Sequence, residues 1–385
     1  MGKIFYIGFY WNEADRVCRK NIRENIAGTV KMDFILKCLR QFNREIVLVS
    51  IMPSKNSGFQ HQETIKVSEK ETHVYLPALV LRVFGKNVIR GDLSLFFLKQ
   101  FMLENVTDDD IVINYHSLIF GNFFLKMRQC IRFRWICEVE ELYRLSAEAH
   151  KNKELLDQEE KMFTGADGYL FVNDILPQKY SNGAPYAVSY GNYTVFCEET
   201  KKKTSRENRI VVVYAGIITE DSGVYLLIRA MQHLSENYQL RIIGMGSEEN
   251  IKEMFNWISK VNKQTRQEKV KYLGVRTGKA LTEFLTTCDI GCSMLNTDHD
   301  FSVAFPSKIL TYLGHGLKVV TSRSECVQQS SLSDLLFFCD NNETSLAKTI
   351  KEAARSRPTG CSQRLRDMET LFCKQLEEVL GVSRQ

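Results

Sequence analysis

Ile210-Val-Val-Val-Tyr-Ala-Gly-Ile-Ile-Thr-Glu-Asp-Ser-Gly-Val-Tyr-Leu-Leu-Ile-Arg-Ala-Met-Gln-His-Leu234 decides the fold. The β-branched and aromatic run over 210–214 is too short for a helix and reads as a buried strand. A glycine-containing turn follows, and then a helix over 223–234. The unit repeats downstream: strand 239–243 with helix 248–261, strand 270–273 with helix 279–287, strand 290–295 with helix 306–313, and a last strand over 318–321. Strands separated by helices of about 10–15 residues build right-handed βαβ units on a parallel sheet.

The first half carries the same alternation. A strand is expected over 4–8, then a helix over 28–42 with Met32, Ile35, Leu36, Leu39 and Phe42 at helical spacing. Strand 46–50, a helix around 92–104, strands 111–115 and 133–137, a polar helix over 149–163 and strand 168–172 complete it. Between the halves, Glu198-Glu-Thr-Lys-Lys-Lys-Thr-Ser-Arg-Glu-Asn-Arg209 contains no apolar residue and reads as a linker. The expected fold class is α/β, with two Rossmann-like, doubly wound domains facing across a cleft, because ligands sit at the carboxyl ends of such strands. The expected division is a first domain over 1–195, a linker over 196–209 and a second domain over 210–360. A C-terminal helix is expected within 361–385.

Composition sets the outer bounds. At about 150 residues per domain, 385 residues make two domains. The 44% hydrophobic and 25% charged fractions exclude a disordered or fibrous chain. The 51 basic residues exceed the 46 acidic ones by five, too few for the basic face of a nucleic-acid binder. Eleven cysteines without a Cys-x-x-Cys give no support to zinc or dithiol chemistry and fit a reducing, cytosolic compartment. The segment Met1-Gly-Lys-Ile-Phe-Tyr-Ile-Gly8 is too short for a signal peptide, and no run approaches the ~18 apolar residues of a membrane span.

The most informative chemistry lies in Phe301-Ser-Val-Ala-Phe-Pro-Ser-Lys-Ile-Leu-Thr-Tyr-Leu-Gly-His-Gly316. Pro306 suits the first helical position and Gly316 the residue past the end. The helix start offers free N–H groups and part of a positive charge, a site for an anion. Lys308, placed in that first turn, is unfavourable by about 0.3–1 kcal/mol unless an anion binds there. The expectation is a diphosphate on this terminus.

Pro306-Ser-Lys-Ile-Leu-x-Tyr-Leu-x-x-Gly316 resembles the donor-site helix of family 4 glycosyltransferases (glycosyltransferase group 1) of the GT-B fold, of the bacterial capsule, exopolysaccharide and lipopolysaccharide type. Val211-Val-Val-Tyr-Ala-Gly216 with Gly223-Val-Tyr-Leu-Leu-Ile-Arg-Ala230 is similar to that family's first donor-domain βα unit. Leu240-Arg-Ile-Ile-Gly-Met-Gly246, Val270-Lys-Tyr-Leu-Gly274 and Cys288-Asp-Ile-Gly-Cys-Ser293 match its next strands. Ala27-Gly-Thr-Val-Lys-Met32 and Asp110-Ile-Val-Ile-Asn-Tyr-His116 have the family look in the first half.

The resemblance implies a transferase that moves a hexose-type sugar from a nucleotide-diphosphate sugar, with retention of configuration, no metal and no cofactor. The resemblance also makes the first domain the acceptor side, and implies that the C-terminal helix crosses back to it. Lys308 would neutralise the departing diphosphate, with Ser307 and backbone N–H groups as donors and Gly216, Gly244, Gly246 and Pro306 lining the donor site. His116 would lie by the transferred sugar. The family's Arg and Lys after the first donor-domain strand fall on Ile217 and Ser222, and its two framing glutamates on Val303 and Thr311. Neutral groups cannot make those charge-assisted bonds; Asp300, Arg276 and Lys279 are the candidate substitutes. Loss of donor binding would leave a catalytically silent partner subunit, and an epimerase or phosphorylase on the same fold is the further alternative.

Other matches weigh less. Asp298-His-Asp300 spells a metal-binding triplet but sits late in the chain, so no metal is expected. Asp108-Asp-Asp110 reads as a solvated turn, and Gly244-Met-Gly246 lacks the third glycine of a dinucleotide fingerprint. For the acceptor, Glu138, Glu140 and Glu141 follow a strand and can reach a sugar hydroxyl, and Asn192 lies in Ser189-Tyr-Gly-Asn-Tyr193, which resembles the exit turn of the first domain. Arg16, Arg19, Lys20 and Arg23, and the basic-aromatic stretch Phe123-Phe-Leu-Lys-Met-Arg-Gln-Cys-Ile-Arg-Phe-Arg-Trp135, are the candidates for anionic lipid or a polyprenyl-diphosphate-linked saccharide acceptor at the inner face of the cell membrane.

Overall fold

The computed structural model describes residues 2–15, 26–53, 56–83, 86–89, 91–115, 120, 122–140, 142, 153–198, 209–294, 305–357 and 360–383. The chain forms two compact units, one of residues 1–191 with 371–385 and the other of residues 192–370.

Unit 1 runs β1 (Ile4–Gly8), α1 (Ile26–Leu39), β2 (Ile46–Ser50), β3 (Gly58–Gln60), β4 (Glu63–Ser68), β5 (Glu71–Tyr75), β6 (Ala78–Val83), β7 (Lys86–Ile89), α2 (Gly91–Asn105), β8 (Ile111–Tyr115), α3 (Phe123–Met127), β9 (Arg134–Val139), α4 (Lys153–Gly165), β10 (Gly168–Phe171), α5 (Leu176–Tyr180) and β11 (Tyr186–Val188). Its main sheet has the order β11-β10-β9-β8-β1-β2-β5-β4. All neighbours are parallel except β4, which runs antiparallel on β5. The central strands are apolar on both faces: every residue of β1, β2 and β10 is buried, as parallel pairing under two helical layers requires.

The sequence reading assigns nothing between Ser50 and Asp92, yet strands β3 to β7 lie there. Three of them, β3-β6-β7, form a separate antiparallel sheet. These strands are short and partly polar, so neither a helical period nor a long apolar run marks them. A buried ionic cluster fixes the start of this region. The two ring nitrogens of His73 face Asp15 Oδ2 at 2.6 Å and Glu71 Oε1 at 2.9 Å, and Arg40 donates from two nitrogens to Glu71. Tyr75 donates to Asp15 at 2.5 Å.

Unit 2 runs β12 (Ile210–Ala215), α6 (Val224–Ala230), β13 (Tyr238–Ile243), α7 (Glu248–Thr265), β14 (Val270–Tyr272), α8 (Gly278–Leu285), β15 (Ile290–Ser293), α9 (Lys308–Gly314), β16 (Lys318–Ser322), α10 (Glu325–Gln328), β17 (Leu336–Cys339) and α11 (Glu343–Arg355). The six strands are all parallel, in the order β14-β13-β12-β15-β16-β17. Renumbered within the unit this is 3-2-1-4-5-6, the doubly wound order, and its switch point lies between β12 and β15. Val212, Tyr214, Leu227, Ile228, Leu240, Ile242 and Ile290 anchor its core.

The last helix, α12 (Cys361–Leu380), begins in unit 2 and ends in unit 1. In unit 1 its second half places Phe372 against Phe34, with ring centroids 5.6 Å apart. There Gln375 accepts from the Val188 N–H, and Arg134 donates to the Val379 carbonyl. The boundary falls at residue 192, not in the polar segment, whose residues 199–208 lie outside the described residues. Phe196 explains the shift. Its ring stacks on His315 at 4.6 Å and its N–H donates to the Gly314 carbonyl, so the segment before the polar run already belongs to unit 2.

Candidate functional site

Helix α9 begins at Lys308, two residues later than the sequence suggests; Pro306 lies outside it, with its carbonyl accepting from the Ile309 N–H. At seven residues the helix has little dipole to offer, so any anion site here depends on side chains. Ile309, Leu310, Tyr312 and Leu313 are buried and fix the helix against the sheet. Tyr312 lies on Gly291, where a Cβ would come within 2.2 Å of its ring, and its hydroxyl accepts from the Ala215 N–H at 2.8 Å.

Lys308 stands one turn before Tyr312 on the same face and is therefore carried to the carboxyl end of β12. Its ammonium donates to the Tyr214 hydroxyl at 2.9 Å and lies 4.2 Å from the ring centroid. Its stem crosses Gly216, where a Cβ would meet Lys308 Cε at 2.5 Å, so any side chain at 216 displaces the lysine. Tyr214 in turn donates to the Ile217 carbonyl at 2.5 Å. Burial lowers Lys308 from its ordinary value to about 8 and raises Tyr214 to about 12. Among the described residues Lys308 has no carboxylate in ion-pair range.

The turns after β12, β13 and β14 run side by side. Gly216 N–H donates to Ile243, Ile218 N–H to Met245 and Gly244 N–H to Gly274, at 2.7–3.0 Å. Gly244 has φ +149°, and a Cβ there would lie 1.7 Å from the Gly216 carbonyl oxygen; at Gly246 it would lie 2.6 Å from that of Ile218. These glycines serve close backbone approach. Around them Ile217, Met245 and Val275 are 65%, 50% and 54% exposed, an apolar rim that periodicity did not reveal because each residue belongs to a different turn.

The remaining donor-side residues divide clearly. Ser222 is not free to bind a ligand through its hydroxyl, which closes its own turn by donating to the Thr219 carbonyl at 2.6 Å and accepting from the Thr219 N–H. Thr311 donates to the Ser307 carbonyl at 3.3 Å, and Ser307 is exposed at the helix cap. The Arg276 guanidinium lies 4.7 Å from the Phe284 ring centroid, while Lys279 pairs with Glu283. Asp300 and Val303, with the Asp298-His-Asp300 triplet, lie outside the described residues.

In unit 1, Glu138, expected within reach of a sugar hydroxyl, is a buried residue. It is 0% exposed and accepts from the Tyr6 hydroxyl at 2.6 Å, reaching across β8, which lies between β1 and β9. Glu140 is the more accessible member and pairs with Lys31. Asn192 accepts from the Thr194 N–H at 2.9 Å and belongs to unit 2. Arg16, Arg19, Lys20, Arg23, His116 and Glu141 lie outside the described residues. In the basic-aromatic stretch, Phe124 and Trp135 stack at 5.6 Å in the interior, and Arg128 pairs with Asp167. Phe124 and Trp135 are therefore core, while Phe123 is half-buried. No described helix is long and apolar enough to cross a membrane.

Comparison with known proteins bears on the same half of the chain. Residues 209–356 match the family model described as Glycosyl transferases group 1. No curated protein matches the sequence. Among solved structures, an alpha,alpha-trehalose 6-phosphate synthase from Burkholderia multivorans has a TM-score of 0.69 at 11% identity, covering 99% of this chain and 96% of that one. A UDP-forming synthase from Burkholderia xenovorans also has a TM-score of 0.69 at 11% identity, with both chains covered fully. The E. coli protein bound with UDP-2-fluoro glucose has a TM-score of 0.63 at 11% identity, again with both chains covered fully. At such identities the structures establish the GT-B fold, and residues 209–356 are similar to a glycosyltransferase group 1 domain, which supports glycosyl transfer as the activity class.

Proposed function

We propose that unit 2 binds a nucleotide-diphosphate sugar with its diphosphate against the Lys308 ammonium, at the carboxyl end of β12. The observation that carries this reading is a desolvated lysine held over Gly216 with a phenol as its hydrogen-bond partner. Among the described residues this largely desolvated cation has no counter-charge, which is costly, and an arriving diphosphate supplies one. The cation then stabilises the negative charge that grows on the nucleoside diphosphate as the bond to the sugar breaks. Lys308 supplies this charge without a metal, in keeping with a metal-independent, retaining transfer. The UDP-forming synthases of the same fold support a nucleoside diphosphate as the leaving group.

The transferred group is a hexose-type sugar, and the acceptor is a saccharide of a growing surface glycan carried on a polyprenyl diphosphate, met at the inner face of the cell membrane. This finer part rests on the resemblance of Pro306–Gly316 and its neighbours to the capsule and lipopolysaccharide enzymes. Sedimentation with anionic vesicles tests the membrane contact; a chain that stays in the supernatant at low salt has none.

The silent-subunit reading is favoured by one specific observation: where relatives place Arg and Lys, Ile217 points its apolar side chain into solvent and Ser222 is spent on its turn. Hydrolysis of UDP- and GDP-sugars, with nucleotide-induced thermal stabilisation, separates the two. Release of nucleoside diphosphate supports transfer. Neither hydrolysis nor stabilisation identifies a silent subunit.

A further inference from the structure

Three polar side chains meet at the carboxyl end of the unit 1 sheet, and none belongs to the donor site. Glu138 on β9 is fully buried, with Oε2 accepting from Tyr6 on β1 and Oε1 without a hydrogen-bond partner among the described residues. Glu140 lies two residues on, on the same side of the strand direction, and pairs with Lys31 of α1. Lys31 also donates to the Ser189 carbonyl at 2.9 Å and is only 7% exposed, whereas Glu140 is 19% exposed. The ammonium is thus matched to Glu140, and among the described residues Glu138 has no cation paired with it.

A second charge on Glu138 would be buried, beside a carboxylate and without a cation of its own, which is the arrangement that leaves one proton on a carboxyl pair. We propose that Glu138 is a positioning residue: it keeps its proton at neutral pH, donates it from Oε1 to Glu140, and so fixes Glu140 and Lys31 as a preformed pair that receives a sugar hydroxyl. The unpartnered Oε1 then has its bond, and Glu140 keeps an oxygen for a ligand while Lys31 offers a donor beside it. An acceptor next to a donor is what a hydroxyl needs, since it both gives and takes a hydrogen bond. Assignment of the ligand as a saccharide rests on the transfer reading above; the shared proton does not.

Burial first, and Glu140 second, hold Glu138 well above the ordinary carboxylate range, while Lys31 and Tyr6 pull it down. Among the described residues the titratable groups around it are Tyr6 on β1, Lys31 on α1, Tyr115 on β8, Cys137 on its own strand and Glu140 just past the end of that strand. A carboxyl whose folded value is raised stabilises the fold fully below its unfolded value, and that stability is lost as pH rises through the folded value.

Thermal unfolding of the full chain across pH therefore tests the pairing without any nucleotide. Glu138→Gln cannot ionise but can still donate. It should match wild type near pH 5 and exceed it near pH 9, whereas Glu138→Ala should fall below wild type at both. A Glu138→Gln curve parallel to wild type at every pH would overturn the proposal. For the hydroxyl, water serves as the probe: in UDP-sugar hydrolysis, Glu140→Gln should lower kcat about tenfold or more with the donor KM unchanged. An unchanged kcat, or a loss seen in KM alone, would contradict the hydroxyl-receiving role. If wild type hydrolyses no sugar nucleotide, the donor reading fails while the pH comparison still decides the shared proton.

Discussion

Lys308 concentrates the donor reading in one side chain, and its surroundings were only half legible in the sequence. The run from Pro306 to Gly316 announced a helix with a cation near its start. It could not announce that the helix would begin at Lys308 itself, or that the ammonium would lie on Tyr214 and over Gly216, since those contacts join residues about ninety positions apart. Two outcomes follow at this scale. Lys308→Ala should lower transfer or donor hydrolysis by about 10²–10³-fold, in the range of a lost charge-stabilising donor, with the fold unchanged by circular dichroism. Gly216→Ala should also impair donor binding, because the added methyl takes the place of Lys308 Cε; a donor affinity equal to wild type would show that the stem can move aside at no cost. The burial of Glu138 was illegible for a related reason. Only the Tyr6 hydroxyl across the sheet shows that it looks in.

At the scale of elements, the long βα units of unit 2 were legible because parallel buried strands and amphipathic helices alternate there without interruption. The strands from β3 to β7 were not, because strands of three to six residues with mixed polarity carry little period. What holds that region to the loop after β1 is the His73 cluster. Burial alone would lower His73, but the hydrogen bonds it donates to Asp15 and Glu71 raise it to about 9, while Glu71 is lowered to about 2, chiefly by Arg40 and His73 acting against burial. A raised histidine stabilises fully below its unfolded value of ~6.5, and its contribution vanishes as pH rises through about 9. A lowered glutamate stabilises above ~4.5 and loses that contribution as pH falls through about 2. The deficit of His73→Gln relative to wild type should thus be greatest between about pH 5 and 6.5, at most ~3 kcal/mol, and shrink above pH 9. Denaturant titrations at both ends check this, and a deficit that does not vary with pH would mean that His73 is neutral in the fold.

For the whole molecule, two doubly wound units built from one chain were expected from the alternation, and their strand orders bear out the fold class. The boundary was displaced because a composition shift marks a solvated segment, whereas the unit begins where Phe196 finds His315. Helix α12 ends as part of unit 1, where Phe372, Leu376 and Val379 are fully buried. Phe372→Ala should therefore destabilise unit 1, which precedes it by more than 180 residues of chain, by about 3–5 kcal/mol in chemical denaturation. The account's central claim is that a diphosphate docks on Lys308, and nucleotide-induced thermal stabilisation of wild type and Lys308→Ala with UDP, GDP, ADP and dTDP tests it most directly. The account predicts that at least one nucleotide raises the melting temperature of wild type and fails to raise that of the variant. A shift of equal size in both proteins, or no shift with any nucleotide, would contradict it.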